Sequence, residues 1–249
     1  MTGPAPVLSV VVLCYRSERD LIPIVERLHR LLSLMKPTWE IILVGNYLQG
    51  REDSTPEVVR ELERKFAGIR SITLEKKAMM GWDMRTGLQE CRGEYLAVID
   101  GDGQFPLEAV ITCFMRIIEG GYDLVQTYRV RRGDGMTRRM ISIAFNAISR
   151  LMFPGFNLND INSKPKILTR ALYEKLQLCD DGWFIDAEIV LKANLMKAVI
   201  AHEPIHFYKL QGRHSFIRPA AIMEFVRKLL LFHRDRDRIK ASLSEANHQ

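Results

Sequence analysis

From Val7 to Tyr128, short apolar runs alternate with segments whose apolar residues recur every three or four positions, an order that few folds accommodate. The runs Leu8–Cys14, Glu40–Val44, Ile72–Glu75, Tyr95–Ile99 and Asp123–Thr127 read as buried strands. Between them Glu18–Met35, Pro56–Phe66, Trp82–Cys91 and Pro106–Glu119 read as helices. Strands separated by helices pair in parallel, so the expected class is α/β: a doubly wound, mainly parallel sheet, Rossmann-like, with helices on both faces. Ligands of such sheets bind beyond the carboxyl ends of the strands, where Tyr15, Asn46, Asp100 and Asp102 fall. After Thr127 come a Gly- and Arg-rich loop, Tyr128–Arg139, a helix to about Met152, a strand near Lys166–Leu168 and further helices. Neither an internal repeat nor a second domain with its own core is visible.

The 249 residues, 47% hydrophobic and 27% charged, suffice for one large core and exclude a disordered chain. A net charge of +6 favours a polyanionic partner: nucleic acid, an anionic membrane surface or a phosphorylated substrate. Sparse aromatics around the basic cluster argue against nucleic acid. Cys14, Cys91, Cys113 and Cys179 lack CxxC spacing and three lie in apolar segments, as reduced core thiols of a cytoplasmic protein would. No charged region precedes an apolar one in Met1–Pro6, and no segment reaches the ~18 apolar residues of a membrane span, so neither a signal peptide nor a transmembrane helix is expected.

The run Tyr95–Ile99 ends in Asp100-Gly101-Asp102-Gly103-Gln104-Phe105-Pro106. Successive strand residues point to opposite faces, but Gly101 and Gly103 let the chain bend until both carboxylates converge on one hard cation. A metal-bound diphosphate would sit there. Pro106 suits the first turn of the next helix. An acidic turn after a strand is common, so the pair alone leaves that simpler reading ahead, and its context decides.

In the basic loop Arg129, Arg131, Arg132, Arg138 and Arg139 stand against one acid, Asp134, with Gly133 and Gly135 for flexibility. Guanidinium groups grip phosphate in bidentate fashion, so the loop reads as one that closes on phosphate, a solvated basic loop being the alternative. The segment Asp160-Ile161-Asn162-Ser163-Lys164-Pro165-Lys166 offers an acid, a hydroxyl, an amide and two cations, either for an acceptor or as an ordinary turn. Asp186 and Glu188 begin a helix, Phe184–Met196, where negative charge is favourable. Glu188 precedes Lys192 by four residues, as in a helix-surface ion pair. Asp186 neighbours apolar Ile189 and Val190, so its carboxylate should face a cleft or a partner. The Gly-centred loop Lys209–Ser215 has the cations and hydroxyl to fold over a diphosphate. No HExxH, GxSxG or Walker pattern occurs.

Taken in order, these segments resemble the inverting glycosyltransferases of family 2 with a GT-A fold, and among them the dolichol-phosphate mannosyltransferases and bacterial polyprenyl-phosphate glycosyltransferases. The resemblance runs from Val7 to about His233. It rests on Val11–Glu18, on Gly87–Pro106, on Arg138-Arg139-Met140-Ile141-Ser142, Asn146 and Asp160–Arg170, then on Asp186-Ala187-Glu188, Glu203-Pro204-Ile205 and Gly212–Ser215. It implies a GT-A domain over residues 7–218, preceded by a tail (1–6) and followed by an amphipathic helix with a polar tail (219–249). It also implies Mg²⁺ or Mn²⁺ on Asp100, Asp102 and Gln104, and a nucleotide-sugar donor near Tyr15, Glu18, Asn46, Gly81, Asp83 and Asp100. An acceptor would lie near Arg129, Arg131, Arg132, Arg138, Arg139, Ser163, Lys164, Lys166 and Ser215. The acceptor would be a polyprenyl phosphate or a glycan hydroxyl; the hydroxyl needs a base, Asp186 or Asp160. Asp186 thus joins Asp100 and Asp102 as a catalytic candidate.

The chain departs from the family pattern in places. Gly45-Asn46 replaces an Asp-Asp pair that contacts the base, Leu13 a Pro, Arg16 an Asn, Asp83 an Ala, and Lys164-Pro165 a Gly-aromatic pair. These departures leave room for a GT-A scaffold protein with weak catalysis. The helix Pro219–His233, apolar on one side with Arg227, Lys228, Arg234 and Arg236 nearby, fits either a membrane interface or packing on the domain. The expected setting is the cytoplasm, peripheral at the membrane face, with homo-oligomers open.

Overall fold

Strands β1 (Leu8–Leu13), β2 (Trp39–Val44), β3 (Ile69–Ile72), β4 (Tyr95–Asp100), β5 (Leu124–Arg129), β6 (Lys166–Thr169) and β7 (Ile200–Ile205) form one sheet in the order β3-β2-β1-β4-β6-β5-β7. The computed structural model describes residues 5–130, 152–156, 158, 160–208 and 219–245. Every strand pairing is parallel except those of β6, which runs antiparallel to both β4 and β5. The described helices are α1 (Leu21–Ser33), α2 (Thr55–Lys65), α3 (Met80–Gln89), α4 (Glu108–Gly120), α5 (Arg170–Leu176), α6 (Ile185–Leu195) and α7 (Pro219–Glu245).

All six residues of β1 are buried, and strand alternation divides them between two cores. Val10 and Val12 point into one, with Leu21, Val25, Leu28 and Leu32 of α1, Val59 of α2 and Phe114 of α4. Val11 and Leu13 point into the other, with Met84 and Leu88 of α3, Ile189 and Val190 of α6, and Leu229 and Phe232 of α7. Helices on both faces explain why the strands read as unbroken apolar runs.

Register sets the strand ends level. Leu13 of β1 pairs with Val44 of β2 and with Asp100 of β4. Antiparallel β6 starts at that same edge, with Lys166 opposite Val98 of β4 and Gln126 of β5. The segment before β6 therefore lies beside the turn after β4.

Four features differ from the sequence reading. The third strand is Ile69–Ile72, not Ile72–Glu75. Its Arg70 reaches the buried Glu40 at 3.0 Å, while Leu74, 49% exposed, belongs to the loop beyond. A seventh strand, β7, occupies a stretch not read as extended; His202, Glu203 and Pro204 hide it, and it pairs with β5 alone among the described strands, where Pro is tolerated. Glu188 and Lys192 do pair, at 2.7 Å, but inside the protein rather than on a helix surface, because Ile185 through Ala193 are all buried. The last helix runs to Glu245, beyond His233, with Leu243 buried near its end.

Along α7 the side chains of Phe225, Leu229 and Phe232 pack into the second core, Phe225 lying 5.3 Å from Phe184 between ring centroids. Met223 and Leu230 are 71% and 54% exposed. No helix among the described residues is long and apolar enough to cross a membrane. Cys14, Cys91 and Cys113 are buried free thiols and Cys179 is exposed; burial pushes the Cys91 and Cys113 thiols up to about 12. Since Leu229 is 1% exposed, Leu229→Ala is expected to lower stability by about 2–5 kcal/mol in urea unfolding, whereas Leu230→Ala changes it little.

Candidate active site

The turn after β4 is built by close approach. Gly101 donates its N–H to Leu13 O at 2.9 Å, and a Cβ there would lie 3.1 Å from that oxygen and from the side chains of Leu21 and Val12. Gly103 follows at φ 73°, in the left-handed region that glycine enters without penalty. Between them Asp102 accepts the N–H of Gln104 at 3.0 Å, and Gln104 O accepts that of Tyr208 at 2.9 Å. Asp100, Asp102 and Gln104 are all half-buried.

Beside this turn lies a sealed ionic cluster. The Lys164 ammonium sits 3.0 Å from Asp186 Oδ2 and 3.4 Å from Asp100 Oδ1, and 3.7 Å from Met80 Sδ. Lys166 donates to Asp186 Oδ1 at 2.7 Å and to the carbonyls of Ser163 (2.8 Å) and Ile161 (2.5 Å). Lys164, Lys166 and Asp186 are at most 2% exposed; the Asp100 side chain keeps 27%. Burial opposes ionisation of Asp186, but the two ammonium groups outweigh it and hold its pKa below the usual carboxylate range. For Asp100 burial prevails over Lys164 and raises the pKa. Burial likewise lowers Lys166, while for Lys164 the two carboxylates override burial and raise it. Ser163, fully buried, bonds Thr127 through its hydroxyl at 2.9 Å.

A second cluster closes the ends of β1 and β2. Asn46, 1% exposed, accepts the N–H of Leu74 (2.8 Å) and donates to Asp83 (2.9 Å) and Thr86 (3.3 Å). The side-chain oxygen and both amide hydrogens thus have partners within the fold. Asp83 also pairs with Lys76, whose ammonium lies 4.3 Å from the centre of the Tyr15 ring. Burial raises the Asp83 pKa against the pull of Lys76 and Asn46. The turn carrying Tyr15 contains Arg16 and Glu18 at φ 51° and 46°, uncommon for residues with a Cβ. The Glu18 side chain is exposed, and its N–H bonds Thr55 Oγ1 at 3.0 Å.

Gly81 serves packing. A Cβ there would come within 2.4 Å of Asp180 O, and its N–H donates to Gly182 O at 2.9 Å. The Asp180 carboxylate takes the N–H groups of Gly182 (2.8 Å) and Phe184 (3.2 Å) and pairs with Lys228 of α7 at 2.5 Å. Its own N–H goes to Glu188 at 2.9 Å.

In a third cluster Asp160, itself at φ 50°, grips Arg129 through Nε (2.8 Å), Nη2 (2.5 Å) and the backbone N–H (2.8 Å). The guanidinium lies 5.1 Å from the Phe207 ring centre. Arg131, Arg132, Arg138, Arg139 and Ser215 lie outside the described residues, as does Asn146.

Asp100, Ser163, Lys164, Lys166 and Asp186 thus come together, Tyr15, Asn46 and Asp83 form a neighbouring group, and Arg129 stands with Asp160. Lys76 and Met80 were not foreseen. An acid such as Asp83 on the buried side of a helix signals that a cation must face it, but nothing in the spacing names Lys76.

Residues 9–180 match the family model for glycosyl transferase family 2. An undecaprenyl-phosphate 4-deoxy-4-formamido-L-arabinose transferase of Pseudomonas syringae pv. syringae (strain B728a) is 27% identical over 177 residues, 71% of this chain and 51% of that protein. The namesake from Salmonella choleraesuis (strain SC-B67) is 23% identical over 225 residues, 89% of this chain and 66% of that protein. The chain therefore spans between half and two-thirds of these curated relatives. Among solved structures, glucosyl-3-phosphoglycerate synthase from Mycobacterium tuberculosis with UDP superposes at a TM-score of 0.65 and 15% identity, over 97% of this chain and 80% of that one. The same enzyme has been crystallised with Mn²⁺, UDP-glucose and phosphoglyceric acid. S. aureus TarS 1–349 with UDP-GlcNAc superposes at 0.59 and 18% identity, over 96% and 72%. These likenesses give the sheet its class, the GT-A fold, and the family match covers β1 through the Asp180 loop; the chain belongs to glycosyl transferase family 2.

Proposed function

We propose that this protein transfers a sugar from a nucleotide-sugar donor to a polyprenyl-phosphate acceptor at the level strand ends of β1, β2 and β4. The observation that carries the choice of acceptor is the occupancy of the two candidate bases. Both Asp186 oxygens pair with buried ammonium groups, and both Asp160 oxygens accept from Arg129. Neither carboxylate is placed to take a proton from a hydroxyl, whereas a lipid phosphate arrives ionised and needs no strong base. The curated relatives, named for transfer to undecaprenyl phosphate, support the same choice.

In this reading an acceptor phosphate oxygen attacks the anomeric carbon as the bond to the nucleoside diphosphate breaks, with the electron pair leaving on the diphosphate. The donor set on the β4 turn is all oxygen: two carboxylates and an amide. Among the described residues no three His, Cys, Asp or Glu side chains gather as a complete metal site. The donor set fits a hard divalent cation, whose remaining ligands would be donor phosphates, the usual habit of Mg²⁺. Asp102 and Asp100 with Gln104 would hold such a cation, which would supply positive charge beside the departing diphosphate. Lys164, Lys166 and Asp186 form the buried, hydrogen-bonded floor beside the turn. Tyr15 is the donor-side aromatic, and Lys76, paired with Asp83, backs its ring.

Calorimetry with UDP, GDP, CDP and dTDP, each with Mn²⁺ or EDTA, is expected to find one that binds only with the metal. Binding of none would leave a scaffold. Asp102→Asn is expected to cut turnover by roughly a hundredfold or more while leaving the melting temperature in place. Asp186→Asn should act on stability instead, costing about 3–5 kcal/mol by leaving two buried ammonium groups short of a partner. Because the folded pKa of Asp186 is depressed, its stabilisation is complete above the ordinary carboxylate pKa of about 3.9 and is lost as pH falls through the folded value. Acid titration of the unfolding free energy should show that limb in the wild type and a flatter one in Asp186→Asn.

A further inference from the structure

The β4 turn has a cation of its own. Because Lys166 stands opposite Val98, Lys164, two residues before it, falls beside Asp100, two residues after Val98. Its ammonium bridges Asp100 Oδ1 at 3.4 Å and Asp186 Oδ2 at 3.0 Å, while Lys166 takes the other Asp186 oxygen. Two ammonium groups and two carboxylates balance. Asp100 therefore reaches the turn as one half of an ion pair whose other half is 2% exposed.

We propose that Lys164 is a built-in counter-cation that lowers the affinity of the β4 turn for divalent metal by holding Asp100. This rests on the reading of that turn as a cation site. A divalent ion approaching Asp100 meets the like charge of Lys164, and engaging the carboxylate fully means loosening a pair buried on the Lys164 side. Metal affinity then depends mainly on Asp102, and Lys164 is a positioning residue that acts through Asp100. Lys164→Met is one atom shorter but close in volume, removes the charge, and leaves Asp186 paired with Lys166.

The test is titration of the full-length protein with Mn²⁺, free ion being read by electron paramagnetic resonance, with and without UDP. Lys164→Met is expected to bind Mn²⁺ at least ~10-fold more tightly than wild type. A purely structural lysine would give no tightening, so an affinity within twofold of wild type, or weaker, in a folded variant overturns the proposal. Asp100→Asn in the wild-type background is expected to cost less than about threefold, and to cancel the gain when added to Lys164→Met. If circular dichroism shows Lys164→Met unfolded, Asp100→Asn alone decides: a loss of tenfold or more overturns the proposal, and a small loss beside a large one for Asp102→Asn sustains it. No Mn²⁺ binding by wild type or any variant removes the cation site itself, and this inference with it.

Discussion

A lysine pair sealed against one aspartate is costly to bury, and the middle of this molecule is arranged around meeting that cost. Lys164 and Lys166 lose nearly all contact with water, so each must find charge or carbonyl oxygen within the fold. Asp186 provides both carboxylate oxygens, and Ser163 and Ile161 add carbonyls. This fixes the approach to β6 and holds α6, through its second residue, against the sheet. It also fixes where Asp100 meets its neighbours.

The antiparallel placement of β6 makes the cluster possible. A parallel strand between β4 and β5 would begin at the opposite edge, with its leading loop far from the acidic turn. Reversed, its leading loop falls beside Asp100. The second cluster follows similar logic with different parts. Asn46 satisfies a loop N–H and ties α3 to the end of β2, and Lys76 balances an acid that Asn46 cannot neutralise. An Asp at position 46 would confront Asp83 directly, so the change from the family's acid pair and the presence of Asp83 are mutually consistent.

Much of the frame was legible because strands buried on both faces are apolar throughout and the helices between them carry clear periodicity. Five parallel strands were read, one displaced by three residues where the apolar signal of Ile72 and Leu74 outran the pairing. β7 was missed because an edge strand can carry His, Glu and Pro. The acidic turn was evident from its glycines. The ion cluster was not, although its members were singled out: Asp186 and the Lys164–Lys166 segment lie about twenty residues apart, and only the reversed strand joins them. Sequence marks a buried charge as needing a partner without naming it.

The loop carrying Asp180 joins three helices at once: its carbonyl abuts Gly81 of α3, its amide is held by Glu188 of α6, and its carboxylate is held by Lys228 of α7. At Gly81 there is not the clearance of a single methyl group. The same loop accepts backbone N–H groups at the start of α3, where Met80 touches the Lys164 ammonium. A continuous chain of contacts, Lys228 to Asp180, its loop to α3, and Met80 to Lys164, thus runs from the C-terminal helix to the acidic turn.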